Sequence, residues 1–311
     1  PAPAPAPAPA PEPGKPAEVP EGLLGFSASS DFSVGVWNLK AGSAQYLRGH
    51  GGEVQGVALS PDGSLVATSS KDKTVRLWTT KDLKPAQVFT VEGSCSVLRF
   101  TADGKTLVVG LDETGVLLSI DVASAVITRL EGHTGGVMGM ALASDGRLFT
   151  VARDRTLRAW DLAAGKPTGL KVDLPAEPFS VAVWDEGQRV LVTGREPVLR
   201  AFNVADGKEA ATLPLPDPMH SGLAVNGKAG LLYVGTEGGV QVVDLAALAI
   251  KGKWAGPAKA VMSLALTADG AWLLGGDEES GLWLWGTAAG TVGWSRTGAH
   301  TAAVNAVVLS R

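Results

Sequence analysis

The sequence has few cysteines, few aromatic residues and no long apolar run. Cys95 is the only cysteine among 311 residues, so an intramolecular disulfide cannot form and the fold does not depend on an oxidising compartment. No stretch of 18 apolar residues occurs, which argues against a membrane-spanning helix. The net charge of −4 gives no basic footprint for nucleic acid. These features argue against a disulfide scaffold, a membrane span and a nucleic-acid partner.

Glycine and proline, in contrast, are abundant, with 40 and 19 residues, and stretches with helical periodicity are absent. This pattern indicates many short strands joined by turns, and therefore an all-β fold. Residues 1–19 alternate Pro with Ala and predict an extended linker in polyproline II conformation. The chain does not begin with Met, so we expect an upstream domain or a removed signal segment. The linker favours an exported protein, with the cytoplasm as the alternative.

A repeat of 40 to 42 residues runs through the remainder of the chain, residues 20–311. Each unit reads as a strand, an Asp-Gly-type turn, a second strand, a polar turn around an acidic residue, and a third strand that ends in an apolar anchor. The turn begins 15 to 17 residues before the anchor, and in six units an acidic residue precedes the anchor by six. A fixed period of this length is typical of repeat architectures. The seven anchors are Trp37, Trp78, Ile120, Trp160, Phe202, Val243 and Trp285.

The two ends of the repeat region complement one another. The C-terminal segment around 304–309 is a first strand without partners after it, and the segment from Pro20 starts at the turn that should follow such a strand. We therefore expect the C-terminal strand to complete the N-terminal sheet, because an open ring would expose unpaired strand edges.

These features resemble the WD-repeat family. The resemblance rests on Gly49-His50 and Gly132-His133, which open two units, and on Trp160-Asp161, which closes one of them. It implies a seven-bladed β-propeller of four-stranded antiparallel blades over residues 20–311. The Pro/Ala-rich linker suggests a bacterial member of the family.

One polar set recurs three times: a histidine, a hydroxyl residue, an aspartate and a tryptophan. A histidine, a hydroxyl and a carboxylate also make up a nucleophile triad. An active site is needed only once, however, and the family resemblance implies a structural hydrogen-bond network that ties an inter-blade loop to the inner strands. The three sets are His50, Thr68, Asp72 and Trp78; His133, Thr150, Asp154 and Trp160; and His300, Ser27, Asp31 and Trp37.

The sequence provides no other chemistry. His220 and Cys95 lie in different repeats and lack a partner at metal-ligand spacing, so we expect no metal site. No glycine motif that could cradle a phosphate is present. We therefore expect no cofactor and no catalytic residues.

A partner-binding face is the remaining candidate site. The residue just before the acidic turn position should point to one face of the disc, where Lys71, Arg153, Arg195 and Glu278 would lie. The basic arc predicts an acidic or polar peptide as the partner, because arginine is frequent in binding hot spots. Trp184 and the C-terminal tryptophans either pack between sheets or form a second docking patch.

The function expected is a non-catalytic scaffold or sensor module that binds a protein or peptide. Enzyme activity in the channel is one alternative, although no catalytic set supports it. A purely structural subunit of a larger assembly is the other.

Overall fold

The computed structural model describes residues 18–216 and 222–310. The predicted linker lies outside the described residues except for its last two positions, and His220 lies outside them as well. Within these ranges the chain is almost entirely extended, with one 3-10 turn at Asp185–Gly187. The strands in chain order are β1 (Leu24–Ser29), β2 (Val34–Asn38), β3 (Ser43–Leu47), β4 (Val54–Leu59), β5 (Leu65–Ser70), β6 (Thr74–Thr79), β7 (Pro85–Thr90), β8 (Cys95–Phe100), β9 (Thr106–Leu111), β10 (Leu117–Asp121), β11 (Ile127–Leu130), β12 (Val137–Leu142), β13 (Arg147–Ala152), β14 (Thr156–Asp161), β15 (Lys166–Asp173), β16 (Pro178–Trp184), β17 (Arg189–Gly194), β18 (Val198–Asn203), β19 (Glu209–Pro214), β20 (Leu223–Asn226), β21 (Leu231–Asp244), β22 (Ala249–Leu266), β23 (Trp272–Asp277), β24 (Leu282–Gly286), β25 (Thr291–Arg296) and β26 (Val304–Leu309).

The Asp-Gly-type turns set the strand boundaries. Between β4 and β5, Gly63 adopts a φ of +74°, which glycine reaches without a steric penalty. The carboxylate of Asp62 accepts hydrogen bonds from the hydroxyl groups of Ser60 and Ser64. The turn therefore stabilises itself locally and reverses the chain between two apolar strands.

The strands within the described ranges form six antiparallel sheets, five with four strands and one with six. The prediction of seven separate four-stranded blades is therefore wrong. The six-stranded sheet, β20 to β25, contains the repeats anchored at Val243 and Trp285, and we call it the fused sheet. Its strands β21 and β22 are 14 and 18 residues long, and they continue through bulges at Glu237/Gly239 and Val261/Ser263 where separate blades would require a break.

The ring closes as the sequence predicts. Strand β26 pairs antiparallel with β1, with Gly25 opposite Leu309 and Ala28 opposite Ala306, and the closing sheet has the order β26-β1-β2-β3. A hydrogen bond of 2.9 Å from the backbone N–H of Leu24 to the hydroxyl of Ser310 extends the contact by one residue. The two ends of the propeller are thus held in one sheet.

The hydrophobic core lies between neighbouring sheets. Trp37, Trp160 and Trp285 are completely buried, and each belongs to a cluster that spans two sheets or the fused sheet. A fully buried tryptophan removes roughly 150–250 Å² from water, which is worth about 4–6 kcal/mol. Inside this core, a central channel is lined by the innermost strands of the five four-stranded sheets and by two segments of the fused sheet.

Candidate functional site

The structure brings together all four members of each predicted polar set. The histidine lies in the loop before an innermost strand, the hydroxyl on the second strand, the aspartate in the following turn, and the tryptophan on the third strand. In two of the sets the histidine is 17 to 22 positions from its hydroxyl and aspartate partners, yet strand pairing places all four residues at one end of a single sheet. In the closing sheet the histidine comes from the C-terminal end of the chain, and the pairing of β26 with β1 brings it next to the other three residues.

The set around His133 shows the geometry. His133 Nδ1 lies 3.0 Å from Asp154 Oδ2, and His133 Nε2 lies 2.8 Å from Thr150 Oγ1. Trp160 Nε1 donates to the same hydroxyl at 2.7 Å. Because the indole can only donate, the Thr150 hydroxyl accepts from it and donates its own hydrogen to Nε2. The network therefore assigns the neutral histidine tautomer with hydrogen on Nδ1, which faces the carboxylate.

The other two sets repeat these contacts. His50 lies 3.0 Å from Asp72 and 2.8 Å from Thr68, which accepts from Trp78 at 3.0 Å. In the closing sheet, His300 lies 3.0 Å from Asp31 and 2.7 Å from Ser27. Trp37 donates to Ser27 at 2.7 Å.

A fifth group belongs to each set, and the sequence reasoning did not identify it. It is the hydroxyl two residues after the aspartate, which donates to the carboxylate and lies 3.0 to 3.2 Å from the histidine Nδ1. The sequence could have predicted this group from the Ser or Thr two positions after the turn aspartate, because such hydroxyl residues form hydrogen bonds within turns. The residues are Ser33, Thr74 and Thr156.

Burial and hydrogen bonding shift the pKa values of these groups. Burial lowers the pKa of His50, His133 and His300 below 6.5, and the neighbouring aspartate only partly offsets this. For Asp31 burial acts in the opposite direction and raises the pKa. Hydrogen bonds from Ser33 and from the backbone N–H of Thr301, together with His300, outweigh that effect and lower the pKa to about 2.

The two remaining aspartates behave in the same way. Burial raises the pKa of Asp72, but hydrogen bonds from Thr74, the Gly51 N–H and His50 lower it to about 2. The pKa of Asp154 is also lowered, despite burial, by the backbone N–H of Thr134 and the hydroxyl of Thr156. Each set therefore holds a neutral histidine beside an ionised carboxylate near neutral pH.

This arrangement is unsuited to nucleophilic catalysis. A nucleophile must reach a substrate, yet Ser27, Thr68 and Thr150 have no exposed surface. Each hydroxyl already donates to a histidine and accepts from a tryptophan, so its hydrogen-bonding capacity is largely used. What the arrangement can do is hold the loop before the innermost strand against the second and third strands.

One repeat uses a different carboxylate from the one the spacing suggests. In the repeat anchored at Trp285, Asp277 accepts backbone hydrogen bonds from Glu279 and Gly281 and a side-chain bond from Trp283 at 2.8 Å. The anchor Trp285 donates instead to the carbonyl of Ala255 at 2.9 Å. Counting six residues back from the anchor indicates Glu279, which is exposed, and misses both Asp277 and Trp283.

The predicted face residues lie at the same end of the strands as the histidine loops, and we call this end the loop face. Lys71 pairs with Glu53 at 2.8 Å. Arg153 lies 3.1 Å from Asp112 and 3.7 Å from Glu177, and Arg195 lies 3.5 Å from the same Glu177. The predicted basic arc therefore has mixed charge. Glu278 is exposed on this face and is anchored through its backbone N–H to Ala260.

The tryptophans whose role the sequence leaves open are half-buried or buried. Trp184, Trp254, Trp283 and Trp294 each pack against a core cluster, and Trp272 is a member of one. The Arg189 guanidinium lies 5.0 Å from the centre of the Trp184 ring. These contacts favour packing between sheets over a second docking patch.

No group of three or more His, Cys, Asp or Glu side chains within residues 18–216 and 222–310 is arranged to hold a metal ion. Cys95 is fully buried, which raises the pKa of its thiol to about 12. In the same part of the chain, no helix has the length and apolar character needed to cross a membrane.

Comparison with known proteins supports the repeat assignment. The family described as "WD domain, G-beta repeat" matches residues 43–79 and 124–161. Cilia- and flagella-associated protein 57 of Mus musculus is 23% identical over 268 residues, which is 83% of this chain and 21% of that protein. WD repeat-containing protein 36 of Homo sapiens is 28% identical over 53% of this chain and 18% of that protein. Mitochondrial division protein 1 of Schizosaccharomyces pombe is 31% identical over 60% of this chain and 25% of that protein.

The chain thus spans about a fifth to a quarter of the length of these relatives. All three are eukaryotic proteins, so the comparison gives no support to bacterial membership. The two matched segments cover the repeats that contain the His50 and His133 networks. These two repeats are therefore similar to the WD repeat, and the ring of antiparallel sheets around them agrees with that similarity.

Proposed function

We propose that the chain is a non-catalytic interaction module that holds a protein or peptide partner on its loop face. WD-repeat propellers generally serve as scaffolds for protein interactions, and two repeats of this chain match that family. The partner segment is acidic or polar, and Arg153 and Arg195 are its main contacts, with Lys71 and Glu278 at the border of the site.

The observation that carries this proposal is the arginine pair bridged by Glu177. The side chains of Arg153 and Arg195 keep 49% and 73% of their surface exposed. Each guanidinium has five N–H donors, so an ion pair with one carboxylate leaves donors for a ligand. An incoming acidic side chain would share these donors with Glu177, which holds the two arginines in place before binding.

The three polar networks also support this proposal. They fix loops and turns at the end of the strands where the arginines lie. A face that is already ordered loses less conformational entropy when a partner binds. We therefore propose a structural role for the networks, with binding confined to the exposed residues above them.

Channel catalysis is the weaker alternative. The described residues that line the channel include serines but no histidine, cysteine or carboxylate, so no general base among them could activate a serine hydroxyl. The division into a linker at 1–19 and one propeller domain at 20–311 stays part of the proposal.

The test compares two double variants of the purified chain. Arg153→Ala/Arg195→Ala removes two cations from the loop face. Lys81→Ala/Lys208→Ala removes two cations from turns at the opposite end of strands β6 and β18. Partners captured from native extract are quantified by mass spectrometry against the unmodified chain, and thermal melting checks that both variants are folded.

We expect the loop-face variant to lose at least one stoichiometric partner that the control variant retains. Equal capture by both variants would contradict the proposed face. Equal capture together with incorporation into a fixed assembly would favour the purely structural alternative, and turnover of a substrate panel would favour the enzyme.

A further inference from the structure

The central channel contains one isolated positive charge. Among the described residues that line it, Arg99 on β8 is the only charged residue, and the polar remainder consists of serine, glutamine and asparagine side chains. Arg99 Nη1 donates to the neighbouring backbone carbonyl of Leu98 at 2.9 Å. No carboxylate pairs with it in the described part of the chain, whereas six other arginines form such a pair.

The fold itself does not need an arginine at this position. Strand pairing places Arg99 opposite Val108 on β9, and the same position can be read from the register of every other channel-lining segment. All of those segments carry a small apolar residue there. The equivalents are Ala58, Ala141, Ala182, Ala224, Ala265 and Val308.

The channel sets the environment of the Arg99 guanidinium. Arg99 is exposed to the water in the channel, and partial desolvation by the surrounding protein lowers its pKa. Walls of low dielectric constant also focus its field along the channel, which raises the local concentration of anions.

The channel beside Arg99 has room for a ligand. The cavity that the innermost strands enclose measures about 170 Å³. Since a single water needs only about 15 Å³, the space accommodates a small anion with part of its hydration.

We propose that the channel is an anion-binding site in which Arg99 binds the carboxylate or phosphate group of a small ligand. The planar guanidinium fork matches the geometry of both groups, and the missing countercharge is then supplied by the ligand. The site lies inside the ring and is separate from the loop face, so it does not depend on the partner proposed above.

The experiment follows the side-chain Nε–Hε resonance of Arg99 while sodium acetate or inorganic phosphate is added at constant ionic strength. The same anions are titrated by calorimetry into the unmodified chain, into Arg99→Ala and into Arg296→Ala, which removes one exposed arginine on β25 outside the channel. Arg99→Gln serves as a second variant should Arg99→Ala not fold, although alanine already occupies five equivalent positions.

We expect a saturable shift of the Arg99 resonance, with at least tenfold weaker binding by calorimetry in the Arg99 variants and unchanged binding in Arg296→Ala. Preference for acetate or for phosphate identifies which of the two anionic groups the site takes. A shift that does not saturate with either anion, or equal affinity in the Arg99 variants, would overturn the proposal. The result of the loop-face experiment has no bearing on either outcome.

Discussion

Replacing Asp154 with alanine should destabilise the propeller much more than a surface substitution does. The carboxylate accepts from His133 Nδ1, from the backbone N–H groups of Thr134 and Thr156, and from the hydroxyl of Thr156, at 2.8 to 3.0 Å. His133 is buried, so its unpaired donor costs about 1–3 kcal/mol. The three other donors can partly reach water and add about 1 kcal/mol together, which gives a loss of about 3 kcal/mol.

A matched control exists within the chain. Glu237 stands six residues before the anchor Val243, as Asp154 stands six before Trp160, but it is exposed and its repeat has no network histidine. We expect Glu237→Ala to change the free energy of unfolding by less than about 0.5 kcal/mol. The comparison separates loss of the network from loss of a negative charge at this position of the repeat.

The free energy of unfolding is measured by urea denaturation followed by tryptophan fluorescence, and Tm by circular dichroism. A loss of about 3 kcal/mol corresponds to a fall in Tm of about 5 °C for a domain of roughly 290 residues. Asp154→Asn, which keeps one acceptor oxygen, should fall between the two alanine variants. If Asp154→Ala and Glu237→Ala had the same Tm, the structural role proposed for the network would be refuted.

Three further outcomes follow from the same contacts. Stability should fall as the pH drops below about 6.5, because the pKa values of the three network histidines are lowered in the folded protein and the unfolded chain is protonated first. It should fall again from about pH 4 to about pH 2, because the pKa values of the network aspartates are lowered as well. Urea titrations from pH 7.5 to 4.5 that show constant or rising stability would contradict the expectation for the histidines. Gly136→Ala should unfold the protein or lower Tm strongly, because a Cβ there would overlap the carbonyl oxygen of Asp112, whereas Gly51→Ala, with its nearest neighbour 4.0 Å away, should melt within a few degrees of the unmodified chain. Cys95 should react with a thiol reagent only in denaturant, since it is fully buried and its pKa is raised to about 12, and rapid labelling of the native protein would show that β8 opens locally.

The sequence was sufficient to predict features that recur at fixed spacing. Asp-Gly-type turns, apolar anchors and the three polar sets all depend on local distances along the chain, which strand pairing converts into contacts. The pairing of β26 with β1 could also be predicted, because the two ends of the repeat region are complementary halves of one unit. In each case the relevant signal lies in short segments whose register is known.

Other features depend on contacts that no spacing reveals. Strand β21 continues past Gly238 and Gly239 because its backbone stays paired with β22. The sequence could not predict this, since a Gly-Gly pair is equally compatible with a loop or a bulge. The pairing of Arg153 and Arg195 through Glu177 links neighbouring sheets, so a position-by-position reading of one face could not predict it. Arg99 did have a signal, because it interrupts a column of alanines in the aligned innermost strands, but its importance emerges only when its side chain is seen to line the channel.

The polar network in the closing sheet has a role that the other two cannot have. His50 and His133 connect residues about 20 positions apart, within one repeat, whereas His300 binds Ser27 and Asp31 across about 270 residues of chain. Tyr46 adds a hydrogen bond of 2.5 Å to the carbonyl of Ala299 in the same corner. Closing so long a loop costs more conformational entropy than closing a short one, although the cost grows only logarithmically with length. The same side-chain set therefore acts locally in two sheets, and in the third it also joins the ends of the ring where a propeller could otherwise open.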